Sequence, residues 1–223
     1  MRIFLVVFAC ITLLGCVQIR DEKLPQKATQ LPQNIYESLK LPRAQGYYVD
    51  YVRMRRGFAV SCQELLPIVE IEPPELSVPL AKIHRNIALN THRESLDSLP
   101  NAYWAEPLEL MLQKHFARVL PRACYRTTRI AADVDYRLLS FVHDFSIFAD
   151  ANDNGLRGVV DIEFWLLAPK SGEIERWRFS AQENIGAPYD MQAAIESLNK
   201  AFSRVVESNF IQMATILQPQ GVQ

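Results

Sequence analysis

His84, His92, His115 and His143 are the side chains best suited to metal or proton chemistry, and their spacing supports neither. None lies in H-E-x-x-H, and none stands at short spacing from a cysteine or another histidine, as zinc sites require. The sequence holds no G-x-S-x-G, no P-loop and no G-x-G-x-x-G. Ser61-Cys62 has no local partner that would activate a nucleophile. Asp150, Asn152, Asn154 and Gly155, with Asp161 in the twelfth place, match the first half of an EF-hand loop. Position eight is Arg157, however, and the twelfth residue is Asp where a bidentate Glu is normal. Strand patterns flank the loop, so a turn rich in Asn, Asp and Gly explains the same letters. These residues point to a non-enzyme without metal or cofactor.

Cys16 carries a different chemistry. Met1-Arg2 is followed by the apolar run Ile3 to Leu14 and then Gly15-Cys16. A short positive start, an apolar core of ~7–15 residues and small residues at its end describe a secretory signal peptide. The run is shorter than the about 20 apolar residues a membrane span needs. Leu13-Leu14-Gly15-Cys16 resembles the bacterial lipobox. That resemblance implies cleavage before Cys16, a diacylglyceryl thioether on its sulfur and an acylated amine. Two or three acyl chains hold a protein stably, at ~0.8 kcal/mol per buried methylene. Val17 stands where an inner-membrane lipoprotein of enteric type would carry Asp, so the sorting pattern favours the outer membrane.

Cys10 leaves with the signal peptide, so Cys62 and Cys124 remain as thiols. In an oxidising periplasm they either pair as a disulfide or stay as two buried thiols. No C-x-x-C spacing marks them as a redox pair.

The chain has 223 residues, 49% hydrophobic and 22% charged, with a formal net charge of −1. That composition is globular, and the near-zero charge excludes the basic footprint of a nucleic-acid binder. The pattern divides into a signal peptide at 1–15, a lipidated N-terminus and tether at 16–45, a folded domain at 46–218 and a tail at 219–223. The tether is polar and carries Pro25, Pro32 and Pro42. A basic loop, RMRRG at 53–57, has too few arginines for a polybasic membrane cluster of ~4–8.

Strands are expected over 47–52, 66–71 and 87–91, the second stopped by Pro73-Pro74. A helix is expected over 103–120, capped by Asn101, with Pro107 in its early turns and Pro121 at its end. His115 falls on its apolar stripe, where a satisfied core histidine is the usual outcome. A long strand follows at 134–148, with a bulge expected at Leu138-Leu139 where the alternation slips. Strands at 157–167 and 173–181, joined by the turn Pro169 to Gly172, complete an antiparallel meander. The last helix runs over 190–217, capped by Asp190, with Ile195, Leu198, Phe202, Val205, Val206 and Met213 on its apolar face. The expected fold is α+β, a single domain with two long helices packed on one face of a mixed sheet.

Tyr47-Tyr48 at the first strand, Trp104-Ala105-Glu106-Pro107-Leu108 and Asp135-Tyr136-Arg137-Leu138 together resemble the ABC-type transport auxiliary lipoprotein family, the PqiC-like lipoproteins. The likeness spans about residues 47–217. The basic loop and the segment from Lys82 to Leu99 depart from the pattern. Membership would imply an outer-membrane lipoprotein facing the periplasm of a Gram-negative bacterium. It would dock an MCE-domain protein of a lipid transport system and form a ring-shaped homo-oligomer around a symmetric conduit. The family offers no catalytic residues to carry over. Two other roles stay open: a lipid-binding module in its own right, and an accessory lipoprotein of outer-membrane assembly or secretion.

Overall fold

The computed structural model describes residues 45–49, 67–83, 85–92, 95–123, 125–128, 133–149, 155–186 and 190–217. Cys16, Cys62, Cys124, the basic loop and the calcium-like positions 150–154 lie outside them. The signal peptide, nearly all of the tether and the tail lie outside as well.

The fold is organised around one long strand. Val134 to Phe148 alternates apolar and polar residues strongly enough to run extended, and β7 spans Tyr136–Ala149. Along one edge it pairs antiparallel with β8, Leu156–Leu167, which pairs antiparallel with β9, Ile174–Asn184. This is the expected meander. The turn between β8 and β9 uses Gly172 at φ 76°, a left-handed conformation that glycine adopts without strain.

The other edge of β7 takes short strands one after another, all parallel to it. β2, Ile68–Ile71, pairs at Tyr136 to Leu138, and β3, Glu75–Leu76, pairs at Phe141 and Val142. After the short helix α1, Val78–Lys82, strand β4, Asn86–His92, pairs at Ser146 to Phe148. Beyond β4 lie β5, Ser95–Trp104, and β1, Gln45–Tyr47; beyond β2 lies β6, Arg126–Thr128.

Both long helices cover one face. α2, Leu108–Val119, and α3, Met191–Leu217, meet where Phe116 and Phe202 lie 5.9 Å apart. Phe116 packs edge-on against Phe164 of β8, and Phe202 against Phe145 of β7. Two helices on one face of a mixed sheet is the expected α+β arrangement, and the described residues belong to one compact unit. All six apolar positions expected on α3 are buried, and the Asp190 carboxylate caps the helix by accepting the Ala193 N–H at 2.8 Å. Near its start α3 touches β8 itself. Ser197 Oγ accepts the N–H of Gly158 and donates to the C=O of Glu183, the residue opposite Gly158.

Four expectations are corrected. The strand expected over 47–52 ends at Tyr47, although Tyr47 and Val49 are buried and Tyr48 is exposed as its alternation implied. The helix expected from 103 begins at Leu108, because a residue before proline is driven out of helical geometry and Pro107 follows Glu106. Tyr103 and Trp104 instead end β5, a strand its polar residues and Pro100 had hidden. Asn101 therefore caps nothing; it sits inside β5 at φ 61°, which asparagine tolerates better than most residues. The bulge lies between Val142 and Asp144, not at Leu138-Leu139. Ser140, almost fully buried, takes the inward place that an apolar count leaves empty, so the slip is displaced to His143.

Candidate docking face

Cα partners in neighbouring strands share a side of the sheet, so the register assigns the face turned away from α2 and α3. Glu70, Arg137, Leu139, Phe141, Trp165 and Glu163 lie on it, as do Asp144, Ser146, Asp161, Arg176 and Arg178. At its β1 end stand Tyr48, 62% exposed, and Tyr103, whose ring lies over Gly46.

Glu163 is the hub. Its Oε1 accepts the indole N–H of Trp165 at 2.5 Å and pairs with Arg176, while Oε2 lies 2.9 Å from His143 Nε2. The carboxyl is held down to about 2, chiefly by the Trp165 hydrogen bond and further by those from His143 and Arg176. Glu163 is only 5% exposed because these partners roof it over, not because it lies deep in the core. Arg176 stacks over the Trp165 ring at 5.3 Å, and Phe141 meets the same ring at 5.1 Å.

Neighbouring charges are matched in the same way. Arg178 grips Asp161 with two hydrogen bonds, 2.8 and 2.6 Å, the bidentate geometry a guanidinium favours. Arg137 lies 2.9 Å from Glu70. Burial pushes the Asp144 carboxyl up and the Asp161 charge adds to the push, while hydrogen bonds with Ser146, the Phe145 backbone and Asn90 pull it partly back. With both oxygens engaged, Glu163 holds His143, Trp165 and Arg176 in place.

The residues singled out in the sequence fall into place unequally. Tyr47 and Trp104 are Cα partners in β1 and β5, and the Ala105 N–H bonds the Tyr47 carbonyl at 2.7 Å. Trp104 is 1% exposed and meets Phe145 edge-on at 5.7 Å. Burial, with the Asp190 charge, raises Tyr47. Pro107 precedes the first turn of α2, Leu108 is buried at its start, and Glu106 pairs with Lys114. Leu138 is core, and Tyr136 is half-buried beside Tyr125, whose hydroxyl burial pushes up to about 12. The aromatic and leucine positions are mainly packing residues, then, and only Tyr48 projects outward. His115 is a core histidine, 5% exposed, and its Nε2 lies 2.7 Å from the Val49 carbonyl.

Reasoning from sequence missed Glu163 as a hub. Alternation along 157–167 sets it outward with Asp161 and Trp165, which is correct, but two of its three partners, His143 and Arg176, come from β7 and β9. Two clefts formed by described residues open to solvent. One of about 320 Å³ lies at the start of α3 between Asp190 and Lys200; the other, of about 160 Å³, lies beside Gln113 and Thr127. No described helix is long and apolar enough to cross a membrane, and no group of three or more His, Cys, Asp or Glu among the described residues could hold a metal ion.

No family model matches this chain, and no curated protein does. Solved structures do. Protein XCC0632 from Xanthomonas campestris, assigned to family model DUF330, superposes with a TM-score of 0.60 at 16% identity, covering 70% of this chain and 88% of that one. An uncharacterized protein superposes with a TM-score of 0.58 at 12% identity, covering 77% of this chain and 99% of the other. These likenesses establish a shared fold.

Proposed function

We propose that the chain is an outer-membrane-anchored periplasmic lipoprotein, a non-enzymatic docking component of an MCE-type, ABC-transporter-linked lipid transport system. The Leu13 to Cys16 pattern supports the anchor, and the resemblance carried by residues 47–138 supports the apparatus. The shared fold with a DUF330 protein is compatible with both. The observation that carries a docking role is the sheet face opposite the helices. It combines Tyr48, Tyr103, Phe141 and Trp165 with arginines already held by carboxylates, and aromatic residues and arginine are the types enriched in protein interfaces. A preset surface loses little side-chain entropy on binding. In this reading the covalent lipid on Cys16 holds the domain at the membrane, and several copies form a ring around the end of a conduit.

The test is crosslinking in intact envelopes through a C-terminally tagged copy, with partners identified by mass spectrometry. Recovery of an MCE-domain protein together with ladders of self-crosslinked subunits supports the reading. Recovery of β-barrel or secretion components alone replaces it with an assembly or secretion role. Stoichiometric phospholipid on the purified chain, with no protein partner, replaces it with a lipid-binding module.

A further inference from the structure

We infer that the outer edge of β9 is a site for strand addition, and that its occupant is an extended segment of another protein carrying carboxylates at alternate residues. This does not depend on which apparatus the partner belongs to.

The geometry of the edge follows from two backbone hydrogen bonds. The Ile185 N–H bonds the Leu156 carbonyl at 2.8 Å, and the Ala168 N–H bonds the Glu173 carbonyl at 2.9 Å. Between these points the register of β8 on β9 is unbroken, from Arg157 opposite Asn184 to Leu167 opposite Ile174. Antiparallel pairing alternates, so the odd residues Glu175 to Glu183 turn their backbone groups toward β8. Arg176, Arg178, Ser180 and Gln182 turn theirs away from it. Among the described strands β9 pairs with β8 alone.

Natural edges of this length are usually blunted by proline, lysine, a bulge or a covering element. β9 has no proline, lysine or glycine, and no bulge interrupts it. Its charges are tied back within the fold, Arg176 to Glu163, Arg178 to Asp161 and Glu183 to Arg204. Eleven residues long and unpaired on this side among the described strands, the edge presents its outward backbone groups without interruption.

Charge decides between occupants. A second copy added antiparallel across a two-fold axis normal to the sheet sets residues of equal parity against each other. The even face of β9 carries Ile174, Arg176, Arg178, Ser180, Gln182 and Asn184, and no acid. The odd face carries Glu175 and Glu183 and no base. No register of self-pairing therefore forms an opposite-charge pair, and several oppose like charges, which destabilises a sheet. The Arg176 and Arg178 side chains remain 64% and 53% exposed despite their bonds to β8. A foreign strand with Asp or Glu at alternate positions would continue the ladder, acids of β8, arginines of β9, acids of the partner. Backbone pairing would supply affinity and the alternate acids specificity.

The test uses the full chain in detergent and a fluorescent peptide of about nine residues alternating glutamate and threonine, a usual strand length. Binding is read by anisotropy and by hydrogen exchange of the β9 amides. The expected result is binding that slows exchange at Arg176, Arg178, Ser180 and Gln182. A lysine–threonine peptide should bind about tenfold or more weakly, and Ser180→Pro, which removes only an outward N–H, should weaken the glutamate peptide as much. Should Ser180→Pro fail to fold, R176A/R178A and the exchange pattern of the unaltered chain carry the test. Equal affinity for the two peptides, or slowed exchange elsewhere but not at these amides, overturns the proposal. So does concentration-dependent disulfide crosslinking between Ser180→Cys copies, which would make a second copy the occupant.

Discussion

Ser197 of α3 accepts the backbone N–H of Gly158 of β8 at 2.9 Å and donates to the Glu183 carbonyl, so a helix side chain joins two residues that face each other across β8 and β9. The contact exists because Gly158 has no Cβ: one placed there would lie 2.6 Å from the Leu198 backbone nitrogen. Two substitutions separate its parts. Ser197→Ala removes a hydroxyl that shares the Gly158 N–H and the Glu183 carbonyl, which still face each other across the ladder, and should cost about 0.5–1.5 kcal/mol. Gly158→Ala forces α3 off the sheet and should cost about 1–3 kcal/mol or more. Urea unfolding of each variant and of the pair measures both. Because they share one contact, the double variant should fall short of the sum.

Glu163 makes stability depend on acid. Its folded carboxyl titrates at about 2, below its ordinary 4.5. The unfolded chain therefore binds more protons between those values, and stability must rise with pH across that window and flatten above it. Glu163→Gln should remove this part of the slope. Trp165→Phe deletes the main hydrogen bond, so the carboxyl moves back up and the window narrows from its lower end. Thermal melts from pH 2 to 5 read all three proteins.

Trp104→Ala opens a cavity against Phe145 at a site 1% exposed and should cost about 3–5 kcal/mol. Tyr48→Ala, at an exposed residue of the same sheet end, should stay within about 0.5 kcal/mol. Equal losses at the two sites, by urea unfolding, would contradict the division into packing and surface residues.

Cys16→Ala should release the protein from membranes on fractionation without altering the circular dichroism or melting temperature of the folded domain. A variant that leaves the membrane unfolded would contradict the reading of residues 17–45 as a tether.

What the sequence disclosed was set by the range of the forces involved. The meander and α3 were legible because period-2 and period-3.6 alternation are local, and Ile162, Phe164, Leu198 and Phe202 are all buried as their spacing required. β5 was not, because its Ser, Asp, Pro and Asn residues read as loop and it is held by pairing with β1 and β4. The same limit hid the Glu163 hub, whose bonds from His143 and Arg176 arise only when three strands align. Arg204 shows it in miniature. Four-residue spacing sets it in line with Glu196 and Lys200 on α3, and Lys200 does pair with Glu196 at 2.8 Å, but Arg204 reaches across to Glu183 of β9 at 2.5 Å.

The parallel seam along β7 also dictates an order of events. β2, β3 and β4 are all made before the strand they pair with, and the Ile68 N–H waits 67 residues for the Asp135 carboxylate. A chain emerging N-terminus first carries these segments with their inner edges unsatisfied until β7 arrives. β8 and β9, by contrast, follow β7 directly and can zip on through short connections. The meander is thus the natural nucleus, and long-range closure of the parallel strands the slow step. Until that step the first half of the domain is the part a chaperone would have reason to hold.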